Sequence, residues 1–402
     1  MKFQRIPLSI AAASLFTLAQ LASAQADEVP GKVIVPESSI EHPWDIGQRA
    51  HTNISIVIPD KVVLGANRVP VAENPASLAC IYGLVKKTTG CPKTATILPT
   101  GGAKAIALVD AYDNPDAVTD LSTFAAAYGY RTPNFTVVKM GSPAANAGWA
   151  LEESLDIEYA FGMAPDAKIY LVEANSDSLT DLFAAEDKAT ALVKAAGGGE
   201  ISNSWCGGDF PGEDTFDTHF QAKGVVYFAS AGDSGGEVCY PSASPYVVSV
   251  GGTTILRNAK GLFTSETAWR DAGGGPSHFE TRPTYQNVIQ SIVGTQRGTP
   301  DISADASSAS HVEIYSHYAC GGWCGVYGTS ISSPTLAGII NAAGSFHTST
   351  DAELTEAYGE YGVKKEYKTD FTDITTGSNG YACEGGWDFC SGIGVPKTYR
   401  GK

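Results

Sequence analysis

Ser330 stands in Gly328-Thr329-Ser330-Ile331-Ser332-Ser333-Pro334, at the head of an apolar stretch, Ser330 to Ala343, that reads as a helix. A serine hydroxyl becomes a nucleophile when a neighbouring base takes its proton, and imidazole is the usual base. No histidine lies between His51 and His219. If Ser330 is a nucleophile, its base is to be sought among the carboxylates.

Glu152-Glu153-Ser154-Leu155-Asp156 offers a pair. Glu152 and Asp156 are spaced i,i+4, so on a helix they share one face, about 6 Å apart along the axis. Two close carboxyls sharing one proton split their titrations, and burial raises one of them further. Such a pair can activate a hydroxyl in acid, while the neighbour holds its proton. Glu153, offset by three from Asp156, is the rival base. The alternative reading is a solvated acidic helix face.

Gly232-Asp233-Ser234-Gly235-Gly236 follows a strand-like run. A carboxyl there can donate to a developing oxyanion only when protonated, again at low pH. The alternative is a turn whose aspartate caps local amides. A trypsin-like reading of the same five residues fails, because no Ala-His-Cys segment lies upstream. Near the C-terminus, Asp373-Ile374 and Glu384-Gly385-Gly386-Trp387-Asp388 combine carboxylates with glycine-rich backbone, the oxygen donors calcium prefers. Turn formation is the alternative there.

These residues need a frame. Ala105–Asp110, Phe135–Lys139, Lys168–Glu173, Glu200–Trp205, Gly224–Ser230 and Tyr246–Val250 read as strands. Asp116–Tyr128, Ala150–Phe161, Leu179–Ala196 and Asp214–Ala222 read as helices. The alternation implies an α/β fold with a mainly parallel central sheet flanked by helices, its chemistry at the carboxyl ends of the strands. Residues 25–73 form a different stretch, a short N-terminal extension or pro-segment with strand candidates Val33–Val35 and Ile54–Ile58.

With 43% hydrophobic residues over 402 positions, the chain has ample material for a core. A net charge of −16 with only 27 Lys plus Arg argues against nucleic acid or anionic lipid as a partner. Residues 1–24 read as a secretory signal: Lys2 and Arg5, an apolar run, then Ala22-Ser23-Ala24. No later stretch could span a bilayer, so a secreted, soluble monomer is expected. Eight cysteines fit an oxidising destination. Spacing favours Cys80–Cys91, Cys320–Cys324 and Cys383–Cys390, which leaves Cys206–Cys239; zinc is the competing reading of Cys320 and Cys324.

Taken together, these motifs resemble the sedolisin family of serine-carboxyl peptidases, which have a subtilisin-like fold. The resemblance covers residues 74–402. It rests on Glu152-Glu153-Ser154-Leu155-Asp156, Ala229 to Gly235, Pro241 to Val247 running on to Gly251-Gly252-Thr253, the Gly-Thr-Ser loop, and Asp373-Ile374 with Gly386-Trp387-Asp388. It implies Ser330 as nucleophile, Glu152 as general base, Asp156 as its orienting partner and Asp233 as oxyanion donor. It also implies one structural calcium ion on the Asp373 and Asp388 side chains and the carbonyls of Ile374, Glu384 and Gly386. Position 384 is usually glycine in this pattern. The family prodomain is also longer than the segment here. Asp110 is expected to hydrogen-bond the carboxyl pair, with a buried structural acid as the alternative. Trp205 is expected to wall the cleft or to fill the core. The resulting expectation is a secreted, acid-active endopeptidase acting on proteins or peptides. A tripeptidyl-peptidase of the same family and an inactive binding homologue are the alternatives.

Overall fold

A computed structural model describes residues 31–59 and 72–400; the expected signal segment lies outside them. Among the described residues, no helix is long and apolar enough to cross a membrane. The fold is subtilisin-like. Its central sheet runs in the order Phe263–Ala268, Val248–Arg257, Val225–Ser230, Gly199–Asn203, Ala105–Ala111, Lys168–Ala174, Asn134–Lys139, with Ile302–Asp305 also paired to Val248–Arg257. All neighbours are parallel except the Phe263–Ala268 edge.

Successive side chains along a strand point to opposite faces, and this decides what meets what. Ile106 and Leu108 enter the core on one face, while Ala105, Ala107 and Val109 enter the core on the other. Asp110 continues the first series. Along Lys168–Ala174, Ile169 and Leu171 lead in the same way to Glu173. Both acids are buried. The first face is covered by Ala147–Met163, here the carboxylate helix, and Thr329–Ala343, the serine helix. Leu179–Ala195 covers the second. A Cβ at Gly338 would meet Met163 Cβ at 2.7 Å and the Ala160 carbonyl oxygen at 2.8 Å. The missing side chain is what lets the two helices touch.

Two elements differ from expectation. The strand expected over Glu200–Trp205 stops at Asn203; Trp205–Cys206 turns away and pairs antiparallel with His51–Thr52. The expected helix Asp214–Ala222 is a run of 3-10 turns over Glu213–Phe220. The N-terminal stretch has strands where they were expected: Gly31–Ile34 and Ser55–Pro59 pair with each other, and Ser55–Pro59 also pairs with Gly322–Tyr327. Ile54 is wholly buried in the first core. All four disulfides follow the spacing, Cys320–Cys324 included, where zinc was the alternative.

Candidate active site

The carboxylate helix begins at Asn146, whose side chain accepts from the Gly148 and Trp149 amides at 2.9 and 3.1 Å, a standard N-cap. Glu152, Glu153 and Asp156 are each wholly buried, so this is no solvated acidic face. The serine helix follows Gly328, whose φ is +133°. A Cβ there would meet the Asn53 carbonyl oxygen at 2.0 Å and Asp233 Oδ2 at 2.5 Å. Only glycine tolerates both the conformation and the crowding. Ser330 is the second residue of the helix, where the backbone N–H has no partner within the helix.

Burial and the Asp110 charge push Glu152 well above the usual carboxyl range; the Ser330 hydroxyl and the Asn53 amide pull it back. The Ser330 hydroxyl also lies 3.3 Å from the Ser204 carbonyl, to which it can donate, and Glu152 makes no hydrogen bond of ordinary geometry. Ser330 therefore lies beside the carboxyl, between two acceptors. Asp156 is also pushed up, first by burial and then by Asp110 and Glu152, and its Oδ1 accepts from the Ser204 hydroxyl at 2.8 Å. Glu153 is raised by burial too, but its neighbours are Asp110, Glu173, Asp113 and Lys139. It faces away from the serine.

Asp110 differs from expectation. Both its oxygens are buried without a hydrogen bond of ordinary geometry, so it is the buried acid of the alternative reading, and a negative charge on it would raise Glu152 and Asp156. Burial and then Glu173 push it up to about 8. The Trp205 side chain also falls on the core side: it is wholly buried, and its indole N–H donates to the Val109 carbonyl at 3.0 Å. Among the described residues, no histidine nitrogen bonds to Ser330. The nearest in sequence to the cleft, His51, is lowered to about 4 by burial.

Asp233 Oδ1 accepts from both the backbone amide and the hydroxyl of Thr329, at 2.8 and 2.7 Å. Burial raises this carboxyl to about 8, with the two Thr329 bonds opposing. Because Oδ1 is already saturated with donors, a proton on this group belongs on Oδ2. That oxygen faces Gly328 together with the Asn53 carbonyl oxygen, to which the Ser330 N–H donates at 3.3 Å. A peptide carbonyl from the N-terminal segment thus sits where Ser330 N–H and Asp233 Oδ2 converge. Sequence reasoning missed Asn53. A single asparagine ahead of a short apolar run carries no signal, and only the tertiary pairing reveals it.

In the C-terminal loop, Asp388 Oδ2 accepts from the Glu384 amide at 2.7 Å, and Oδ1 accepts from the Cys390 and Ser391 amides at 3.1 and 2.8 Å. Asp373 Oδ2 accepts from the Gly386 amide at 3.0 Å. Asp373 Oδ1 is buried without a hydrogen bond of ordinary geometry, although Tyr367, whose hydroxyl donates to the Ile393 carbonyl at 2.9 Å, lies beside it. An orphaned carboxylate oxygen beside a glycine-rich loop is the donor chemistry of a hard cation, so the residues fit calcium by type. The tight cluster of Cys383, Asp388 and Cys390 is no thiolate site, because the two cysteines are bonded to each other.

Comparison with known proteins bears on the family and the fold. Residues 138–358 match the Subtilase family, Peptidase_S8. The chain is 30% identical to kumamolisin of Bacillus sp. (strain MN-32), over 82% of this chain and 63% of that protein. It is 25% identical to sedolisin of Pseudomonas sp. (strain 101), over 80% of this chain and 59% of that protein. It therefore spans less than two thirds of the length of these relatives. Among solved structures, Pseudomonas sedolisin, a serine-carboxyl proteinase complexed with two molecules of pseudo-iodotyrostatin, superposes with a TM-score of 0.66 at 24% identity, covering 82% of this chain and 96% of that one. The chain belongs to the subtilase family, on its sedolisin branch.

Proposed function

We propose that the chain is a secreted, acid-active endopeptidase that cleaves peptide bonds through an acyl-enzyme on Ser330. One observation carries this reading: a peptide carbonyl lies between the Ser330 N–H and Asp233 Oδ2, directly over a buried carboxyl pair. The residues divide the work as follows. Ser330 Oγ bonds to the carbonyl carbon while its proton passes to Glu152. The Ser330 N–H and the protonated Asp233 stabilise the oxyanion. The C–N bond then breaks, and Glu152 returns the proton to the leaving amine. Water repeats the sequence and frees the acid product from Ser330.

Burial leaves room for about one negative charge among Glu152, Asp156 and Asp110. Asp156 keeps its proton and orients Glu152. The Ser330 hydroxyl and Asn53 amide favour placing the charge on Glu152, whereas Asp110 has no donor. Asp233 must stay protonated, so activity should fade as pH rises through its value of about 8. Calcium, held by Asp373, Asp388 and the carbonyls of Ile374, Glu384 and Gly386, would supply a structural cross-link. Four disulfides support an oxidising, extracellular setting.

The test is hydrolysis of peptides blocked at both ends, from roughly pH 2 to 8, by the chain and by Ser330→Ala. Ser330-dependent cleavage with an acid optimum, fading as pH approaches 8, is expected. Cleavage that survives Ser330→Ala, or whose optimum is neutral or alkaline, refutes the mechanism. Cleavage only of peptides with a free amino terminus selects the tripeptidyl mode instead.

A further inference from the structure

Residues 51–54 cross the cleft in the manner of a bound peptide. His51 and Thr52 pair antiparallel with Cys206 and Trp205, adding a strand to that segment as peptide ligands do. The next residue, Asn53, has its carbonyl oxygen at the oxyanion position and its amide near Glu152. Its side chain therefore occupies the pocket for the residue on the acyl side of the cleaved bond.

That pocket is short and polar. Asn53 is 1% exposed; its Nδ2 donates to Ser230 Oγ at 2.7 Å, while its Oδ1 has no hydrogen bond of ordinary geometry, so the amide N–H is the group the pocket recognises. The same nitrogen lies 3.4 Å from Cys206 Sγ, so the Cys206–Cys239 disulfide ends the pocket immediately beyond the amide. A cavity of about 360 Å³ lies against Cys206, Cys239 and Gly232, and Asn53 is not among its walls. The disulfide stands between the two spaces. A side chain one methylene longer than asparagine meets sulfur, and one without a donor leaves Ser230 Oγ without its present partner.

We propose that this pocket sets the specificity of the site for asparagine at the acyl side of the cleaved bond and that the Cys206–Cys239 disulfide enforces the size limit. The proposal rests on the peptidase reading above and names its substrate class. Rejection of one extra methylene by a fitted pocket is worth about 10–200-fold in rate, and loss of a hydrogen-bonding partner adds to it.

The experiment uses the full chain and its Asn53→Ala variant, whose segment holds the pocket less well. The probes are doubly blocked peptides with the sequence of residues 49–56, varied at the position of Asn53 to Gln, Ala, Leu, Phe and Lys. The asparagine peptide should be cut after that residue at least roughly 10-fold faster than the glutamine and leucine peptides. Ser230→Ala should lower the ratio of asparagine to alanine cleavage. Cys206→Ala/Cys239→Ala, which joins the pocket to the cavity behind it, should shift preference toward leucine and phenylalanine. Ser330-dependent cleavage that prefers leucine, phenylalanine or lysine in the parent chain overturns the proposal and leaves the peptidase reading standing. No Ser330-dependent cleavage by either protein removes both.

Discussion

Two regions of this molecule bury carboxylates, and they do so in opposite ways. Asp301 lies under the sheet with every oxygen occupied. Arg297 donates to both oxygens at 2.8 and 2.5 Å, and the Tyr358 hydroxyl and Ser249 amide complete the set at 2.8 Å each. Glu73 is held likewise by Arg257 at 2.6 Å on each oxygen and by Ser77 at 2.7 Å. Glu152 and Asp110 are equally buried, yet neither has a cation or an ordinary hydrogen bond, and Asp156 has a single serine hydroxyl. A compensated carboxylate ties elements together. An uncompensated one keeps its proton and weakens the fold, an arrangement that natural proteins concentrate where the proton is used.

The contrast can be broken by paired substitutions. Asp301→Asn leaves the Arg297 guanidinium buried without its charge partner and should destabilise the chain by about 3–5 kcal/mol, read by denaturant unfolding. Glu152→Gln removes no counter-charge, so stability at pH 7 should hold or rise. The same substitution should lower peptide hydrolysis by about 10²–10⁴-fold, the usual size of a general acid–base contribution. If Glu152→Gln destabilises as much as Asp301→Asn, the two clusters are alike and the distinction fails.

Stability against pH sharpens it further. Asp110 and Asp233 are raised to about 8 in the folded chain, against an unfolded value of about 4. Between those values the unfolded chain has released protons that the folded chain retains, so unfolding is favoured as pH rises. The stabilisation is complete below about pH 4 and is lost progressively toward pH 8. Unfolding midpoints should fall across that window, and Asp110→Asn should flatten the fall. A midpoint that climbs from pH 4 to 8 would mean that Asp110 and Asp233 do not keep their protons through that window, and the distinction would fail.

The distinction was only half legible in the sequence. Period-two strands and the spacing of Glu152 and Asp156 announce the sheet, the helix and the shared face, because these follow from backbone repeats. What flanks the face does not follow from repeats. That Glu152 and not Glu153 turns to the serine depends on the rotation of the carboxylate helix against Gly338. That Asp110 lacks a hydrogen bond depends on which donors the neighbouring strands present. The role of residues 51–55 was the least legible. Strand character was apparent only from Ile54 onward, and the partners, Trp205–Cys206 and Gly322–Tyr327, lie far along the chain, where pairing leaves no local mark.

The C-terminal loop holds one buried and one half-buried carboxylate in a third way, and gives the smallest expected effect. Asp388 is satisfied by amides of its own loop, whereas Asp373 keeps one oxygen without an ordinary hydrogen bond. If a cation completes that set, adding calcium at ten times its dissociation constant should raise stability by about 1.4 kcal/mol, and a chelator should reverse it. Asp373→Asn should abolish the response while changing little in the chelated protein, since the Gly386 amide can still donate to the remaining side-chain oxygen. The readout is unfolding in calcium against chelator, independent of any peptide hydrolysis. Equal stability in both solutions would mean that no cation completes the set and that one oxygen of the half-buried Asp373 stays without a partner.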